Sequence, residues 1–97
     1  MEHNPGTMPV TTQARAAMAE RVMELIAERR YGSIAAFRPD GSGGTLYATD
    51  VRYVGGAFAG KVVVRIPCPD GDAEEAAVEA VDAACERYAE AVADEAQ

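Results

Sequence analysis

Residues 61–72 read KVVVRIPCPDGD, and this stretch contains a strand followed by the start of a helix. Because side chains alternate between the two faces of a strand, Val62, Val64 and Ile66 share one apolar face. We predict that this face packs against the helices of the protein. Pro67 and Pro69 have no amide hydrogen to donate to a neighbouring strand, so the strand is predicted to end at Ile66.

The helix that follows is predicted to begin at Asp72. Glu75 lies three residues further on, which is the spacing of a capping box with Asp in place of Ser or Thr, and a carboxylate also suits the positive end of the helix dipole. Apolar residues then recur at steps of three and four for about four turns, which is typical of a helix with one buried face. The predicted buried stripe is Val78, Val81, Cys85, Tyr88 and Val92.

Upstream of residue 61, the pattern predicts one more helix and two more strands. The helix is expected to begin with Thr11 or Thr12 as its N-cap and to end at Gly32, with a buried stripe of Ala14, Met18, Val22, Leu25 and Ile26. The period then changes to two, which predicts strands over residues 33–38 and 45–53. Turn-forming residues fill the intervals 39–44 and 54–60, so two successive hairpins, and hence an antiparallel meander, are predicted.

These elements predict an α+β fold, a two-layer αβββα sandwich in which both helices pack on one face of a three-stranded antiparallel sheet. The order of elements from Thr12 to Val92 resembles that of the double-stranded RNA-binding domain. That family carries a basic cluster at the start of its last helix, where this sequence has Asp72, Glu74 and Glu75. The RNA contacts of the family are therefore not transferred to this chain.

Length and composition indicate one domain in a chain of 97 residues. The expected organisation is a disordered tail over 1–10, a single α+β domain over 11–93 and a frayed C-terminus over 94–97. No stretch reaches the roughly 20 apolar residues of a membrane span, and the N-terminal residues lack the pattern of a signal peptide, so a cytoplasmic location is expected. The 8 Arg against 1 Lys and the abundant Ala suggest a bacterial or phage origin.

The residues that support catalysis or metal binding are few. The 2 Cys are not spaced as a zinc pair, and His3 lies in the predicted tail, so no metal site is expected. Cys68 is the better candidate for a reactive thiol because it precedes a helix, but no His in the predicted domain would serve as its base. The glycine runs join strands and match no phosphate-binding loop. We therefore expect neither a cofactor nor an enzyme.

Charge is distributed unevenly along the chain. Residues 70–97 contain ten carboxylates and one Arg, a net −9, whereas residues 1–69 carry +2. An acidic surface repels phosphate backbones, so nucleic acid is a disfavoured partner. Aromatic and basic residues on the open sheet face are the feature that would support single-strand binding. They are Tyr47, Tyr53, Phe58, Arg38, Arg52, Lys61 and Arg65.

Five of these carboxylates recur at helical spacing in the last helix and form what we call the acidic stripe, consisting of Glu75, Glu79, Asp82, Glu86 and Glu90. One interpretation is a solvated face that maintains solubility. The other is a surface that binds a protein through an Arg/Lys-rich site, such as one that normally holds nucleic acid. The second interpretation predicts a small acidic non-enzymatic regulator or inhibitor, of the antitoxin, immunity or phage anti-defence type. The alternative is a structural or assembly subunit of a bacterial or phage complex, and a homodimer is left open.

Overall fold

The structure is a computed structural model that describes residues 10–47, 58 and 60–95. It contains α1 (Thr12–Ala27), β1 (Ile34–Phe37), β2 (Gly43–Tyr47), β3 (Val62–Arg65) and α2 (Ala73–Glu95). The three strands form one antiparallel sheet, and the buried residues of both helices share a core with residues from a single face of that sheet. The predicted α+β sandwich with the element order αβββα is confirmed.

The strands lie in the order β2-β1-β3, so the predicted meander is wrong. The first strand, not the second, is central, and Ala35 is paired with Leu46 on one side and with Val64 on the other. All four residues of β1 are apolar and buried, so the central strand is covered on both faces of the sheet. Pairing with the third strand extends one step further, because the amide of Ile66 donates to the carbonyl of Ser33 at 2.8 Å.

Several predicted segments lie outside the described residues. They include the tail over 1–10 apart from Val10, residues 48–53 of the predicted second strand, and most of the loop over 54–60. The predictions for these segments stay predictions.

The core lies between the sheet and the two helices. Leu25, Val64, Ile66 and Val81 are each at most 1% exposed and belong to one cluster of buried side chains. The apolar face predicted for β3 therefore does face the helices, and Val62 completes it at 0% exposure. Burying these side chains supplies the main stabilising free energy of a domain this small.

Helix α1 begins where the sequence predicts and ends earlier. The Thr11 side chain accepts a hydrogen bond from the amide of Ala14 at 3.0 Å, which is an N-cap. The helix ends at Ala27, not at Gly32, with Arg29 in the left-handed conformation at φ 60°. The amides of residues 29 and 30 donate to the carbonyls of residues 26 and 25, the paired bonds of a Schellman motif. Gly32 instead lies in the turn that leads into β1.

The hairpin between β1 and β2 packs against α1. Asp40 accepts hydrogen bonds from the hydroxyl and the amide of Ser42, and these bonds lower the pKa of the Asp40 carboxyl. Gly41, at φ 92°, lies so close to α1 that a Cβ at this position would be 2.8 Å from the carbonyl oxygen of Ala14. The loop therefore contacts the helix backbone directly.

Helix α2 is rotated relative to the predicted stripe. Val81 and Cys85 are buried as predicted, but Val78 is 43% exposed, and Ala77 occupies the buried position at 0%. Ala84, seven residues after Ala77, is also buried, so two alanines line the packed face. Small side chains allow closer packing of the helix, which explains why the larger Val78 lies at the edge of the interface.

Candidate protein-binding surface

Helix α2, which carries the acidic stripe, begins at the predicted position. The side chain of Asp72 accepts a hydrogen bond from the amide of Glu74 at 3.0 Å, so Asp72 is the N-cap as predicted. The amide of Ala76 then donates to the carbonyl of Asp72 at 3.1 Å. Among the hydrogen bonds of the described residues, none joins Glu75 to the amide of Asp72, so the second, reciprocal hydrogen bond of a capping box is not formed.

Of the acidic stripe, Asp82 lies beside α1, and the other four carboxylates point away from the packed side of α2. Glu75, Glu79, Glu86 and Glu90 are exposed, while Asp82 is only partly exposed. Asp82 accepts a hydrogen bond from Nη1 of Arg15 at 2.9 Å, and this ion pair joins the two helices. The side chains of this pair remain 40% and 48% exposed, so its contribution to stability is small.

The other four carboxylates of the stripe have no such neighbour. In the described part of the chain, no Arg or Lys forms an ion pair with Glu75, Glu79, Glu86 or Glu90. Arg87, the only base in α2, lies on the side of the helix nearest β3, where its Nη2 is 3.4 Å from the carbonyl oxygen of Val63. The negative charge is therefore concentrated on one side of α2.

A groove between α1 and α2 borders the stripe. It has a volume of about 240 Å³, and its walls include Ala16 and Ala19 from α1 and Val78 and Val81 from α2. Val78 lies one helical turn after Glu75 and one turn before Asp82, so carboxylates flank it along the helix. The sequence analysis missed this groove because it placed Val78 in the core. The sequence carries no local signal for the correct rotation, because alanines seven residues apart recur along α2, and Ala83, seven residues after Ala76, is exposed.

The two cysteines are free and lie in different environments. Cys68 is exposed, whereas Cys85 is buried. Burial raises the pKa of the Cys85 thiol, because the thiolate would lose its hydration there. Within the described ranges, no three His, Cys, Asp or Glu side chains are grouped as metal ligands would be.

The structure brings together only part of the aromatic and basic set on the sheet face away from the helices, and this face is not open at its centre, because Ile34 and Ala36 of β1 are buried there. The rings of Tyr47 and Phe58 pack edge to face with their centroids 5.1 Å apart. Tyr53 and Arg52 lie outside the described residues. Arg65 donates to the carbonyl of Gly32 at 2.8 Å, so this cation is already engaged within the chain.

Neither described helix is long and apolar enough to cross a membrane. In comparisons with models of protein families, with curated proteins and with solved structures, the chain matched none of them.

Proposed function

We propose that this protein is a non-enzymatic binding protein that acts by stoichiometric contact between its acidic stripe and a basic surface of another protein. The observation that supports this function best is that four exposed carboxylates lie along one side of α2 and form no ion pair with an Arg or Lys of the described residues. A regulator or inhibitor of the antitoxin, immunity or phage anti-defence type is the class that fits such a surface.

The charge of the stripe opposes the folding of α2, which favours a role in binding. Glu75 and Glu79, and likewise Glu86 and Glu90, are like charges four residues apart. Each such pair destabilises a helix by about 0.2–0.5 kcal/mol. A basic partner would relieve this repulsion and would be attracted over the distance of a screening length, about 10 Å at 0.1 M salt. A surface of this sign also suits a partner site that normally holds nucleic acid.

The test compares two triple charge reversals that change the net charge equally. In E79K/E86K/E90K the reversed residues lie on the stripe, and in the matched control E20K/E24K/E28K they are exposed residues of α1 and its C-cap. Asp82 is left unchanged because it is paired with Arg15. The control breaks two exposed ion pairs, Arg21 with Glu24 and Arg30 with Glu28, which are worth at most about 1 kcal/mol each.

The partner is isolated from the source cells with the wild-type protein, and its association rate with each variant is measured against ionic strength. We expect the stripe variant to associate at least about tenfold more slowly at low salt, and the wild-type rate to fall as salt rises. The control should retain most of the wild-type rate. Equal slowing by both variants, or a rate that is independent of salt, would contradict the proposal.

The alternative function, an assembly subunit, would use the outer edge of β3 for self-association. Light scattering on the purified protein distinguishes the two functions, because the alternative requires an oligomer without any partner.

A further inference from the structure

We infer that the groove between α1 and α2 accepts an apolar side chain from a basic amphipathic helix of the partner. This inference rests on the proposed function and specifies the chemistry of the partner. It joins two observations, the apolar groove and the carboxylates beside it, into one binding surface.

The size and lining of the groove favour a protein side chain as the occupant. Its volume of about 240 Å³ is below the roughly 300–1,000 Å³ of pockets that hold small-molecule ligands. Ala16, Ala19 and Val81 form apolar walls, and Val78 is one of two large hydrophobic residues in the described ranges that are exposed. Protein interfaces obtain much of their affinity from a few residues that fill well-packed pockets near the centre of the contact.

The charges around the groove determine which side chains of the partner are favoured next to the apolar residue that enters the groove. The charged residues in the lining itself, Arg15 and Asp82, are paired with each other, so they add no net charge to the groove. Outside the lining, Glu75 lies one turn before Val78 and Glu79 is adjacent to Val78 in sequence, and both are exposed and unpaired among the described residues. An incoming helix whose apolar residue enters the groove would place residues one turn away near these carboxylates, and Lys or Arg would be favoured there. A second copy of this chain would present its own acidic stripe, and a nucleic acid its phosphates, so both would be repelled.

Two fluorescein-labelled peptides test the inference by anisotropy at about 0.1 M salt. The first is an 18-residue helix with Leu at positions i, i+3, i+4 and i+7 and Lys on either side. The second keeps every Lys and replaces every Leu by Ala, so that charge and helix propensity are retained. We expect the Leu peptide to bind at least about tenfold more tightly than the Ala peptide.

A matched pair of protein variants separates the groove from the charge. Val78→Glu introduces a carboxylate in the groove, and Ala83→Glu introduces the same charge at an exposed position of α2 outside the groove lining. Attraction by charge alone predicts that neither variant weakens binding of a Lys-rich peptide. We expect Val78→Glu to weaken binding of the Leu peptide at least about tenfold, and Ala83→Glu to leave it unchanged. Circular dichroism on both variants checks that the fold is retained.

The inference is refuted if the two peptides bind equally, if Val78→Glu and Ala83→Glu have the same effect, or if neither peptide binds. Equal binding of the two peptides, lost in E79K/E86K/E90K, would leave the proposed function standing and remove only the groove. Failure of the proposed function is recognised separately, by association rates of the native partner that do not depend on the stripe.

Discussion

Gly41 provides the sharpest test of how the first hairpin packs. In Gly41→Ala, the new Cβ would lie 2.8 Å from the carbonyl oxygen of Ala14, 3.1 Å from the Cα of Ala14 and 3.3 Å from the Cβ of Ala17. Two of these three atoms belong to the backbone of α1, which cannot rotate away as a flexible side chain would. Either the loop or the helix must therefore move.

Two destabilising effects add in Gly41→Ala. Placing an L residue at φ 92° costs about 1–2 kcal/mol, and an added methyl group in a packed site costs about 1–3 kcal/mol. Gly60→Ala is the matched control, because Gly60 also has a positive φ of 72° but nothing lies within 4 Å of its added Cβ. We expect Gly41→Ala to lower the free energy of unfolding by about 2–5 kcal/mol, and Gly60→Ala by about 1–2 kcal/mol.

Urea unfolding followed by far-ultraviolet circular dichroism measures both values, with linear extrapolation to water. The m-value should not change, because neither variant alters the surface exposed on unfolding. If Gly41→Ala were no more destabilising than Gly60→Ala, the hairpin would not rest on α1, and the described contact between Gly41 and Ala14 would be wrong.

Two further predictions concern the end of α1 and the thiols. Arg29→Gly should raise the free energy of unfolding by about 1 kcal/mol, because glycine adopts the left-handed conformation at the C-terminus of a helix without steric strain; an unchanged midpoint in urea would contradict the Schellman geometry. In the native protein one thiol, that of Cys68, should react rapidly with an aromatic disulfide reagent, and Cys85 should react only after unfolding. Because burial raises the pKa of Cys85 in the folded state, its thiol form stabilises the protein below the unfolded pKa, and that stability is lost as the pH rises above about 9; two fast thiols at pH 8 would refute this placement.

Local chemistry in the sequence was sufficient to predict where both helices begin and which faces of α1 and β3 are buried. Asp72, and either Thr11 or Thr12, were predicted as caps because such side chains satisfy amide groups only two or three residues away, and the structure shows that Thr11 is the cap of α1. The apolar side of β3 followed from its period of two, and the stripe of α1 followed from its period of 3.6. The carboxylates of the acidic stripe were placed on one side of α2 by the same periodicity.

The tertiary structure alone decided the features that depend on contacts between distant residues. β1 is the central strand because both β2 and β3 pair with it, and pairing between segments far apart in the sequence is not encoded by the local pattern of any one strand. Adjacent residues of a helix point in directions about 100° apart, so a modest rotation of α2 about its axis decides whether Ala77 or Val78 is buried. That rotation depends on how closely α2 packs against the rest of the protein. The pairing of Asp82 with Arg15, 67 residues away, and the groove beside it exist only because the fold brings the two helices together.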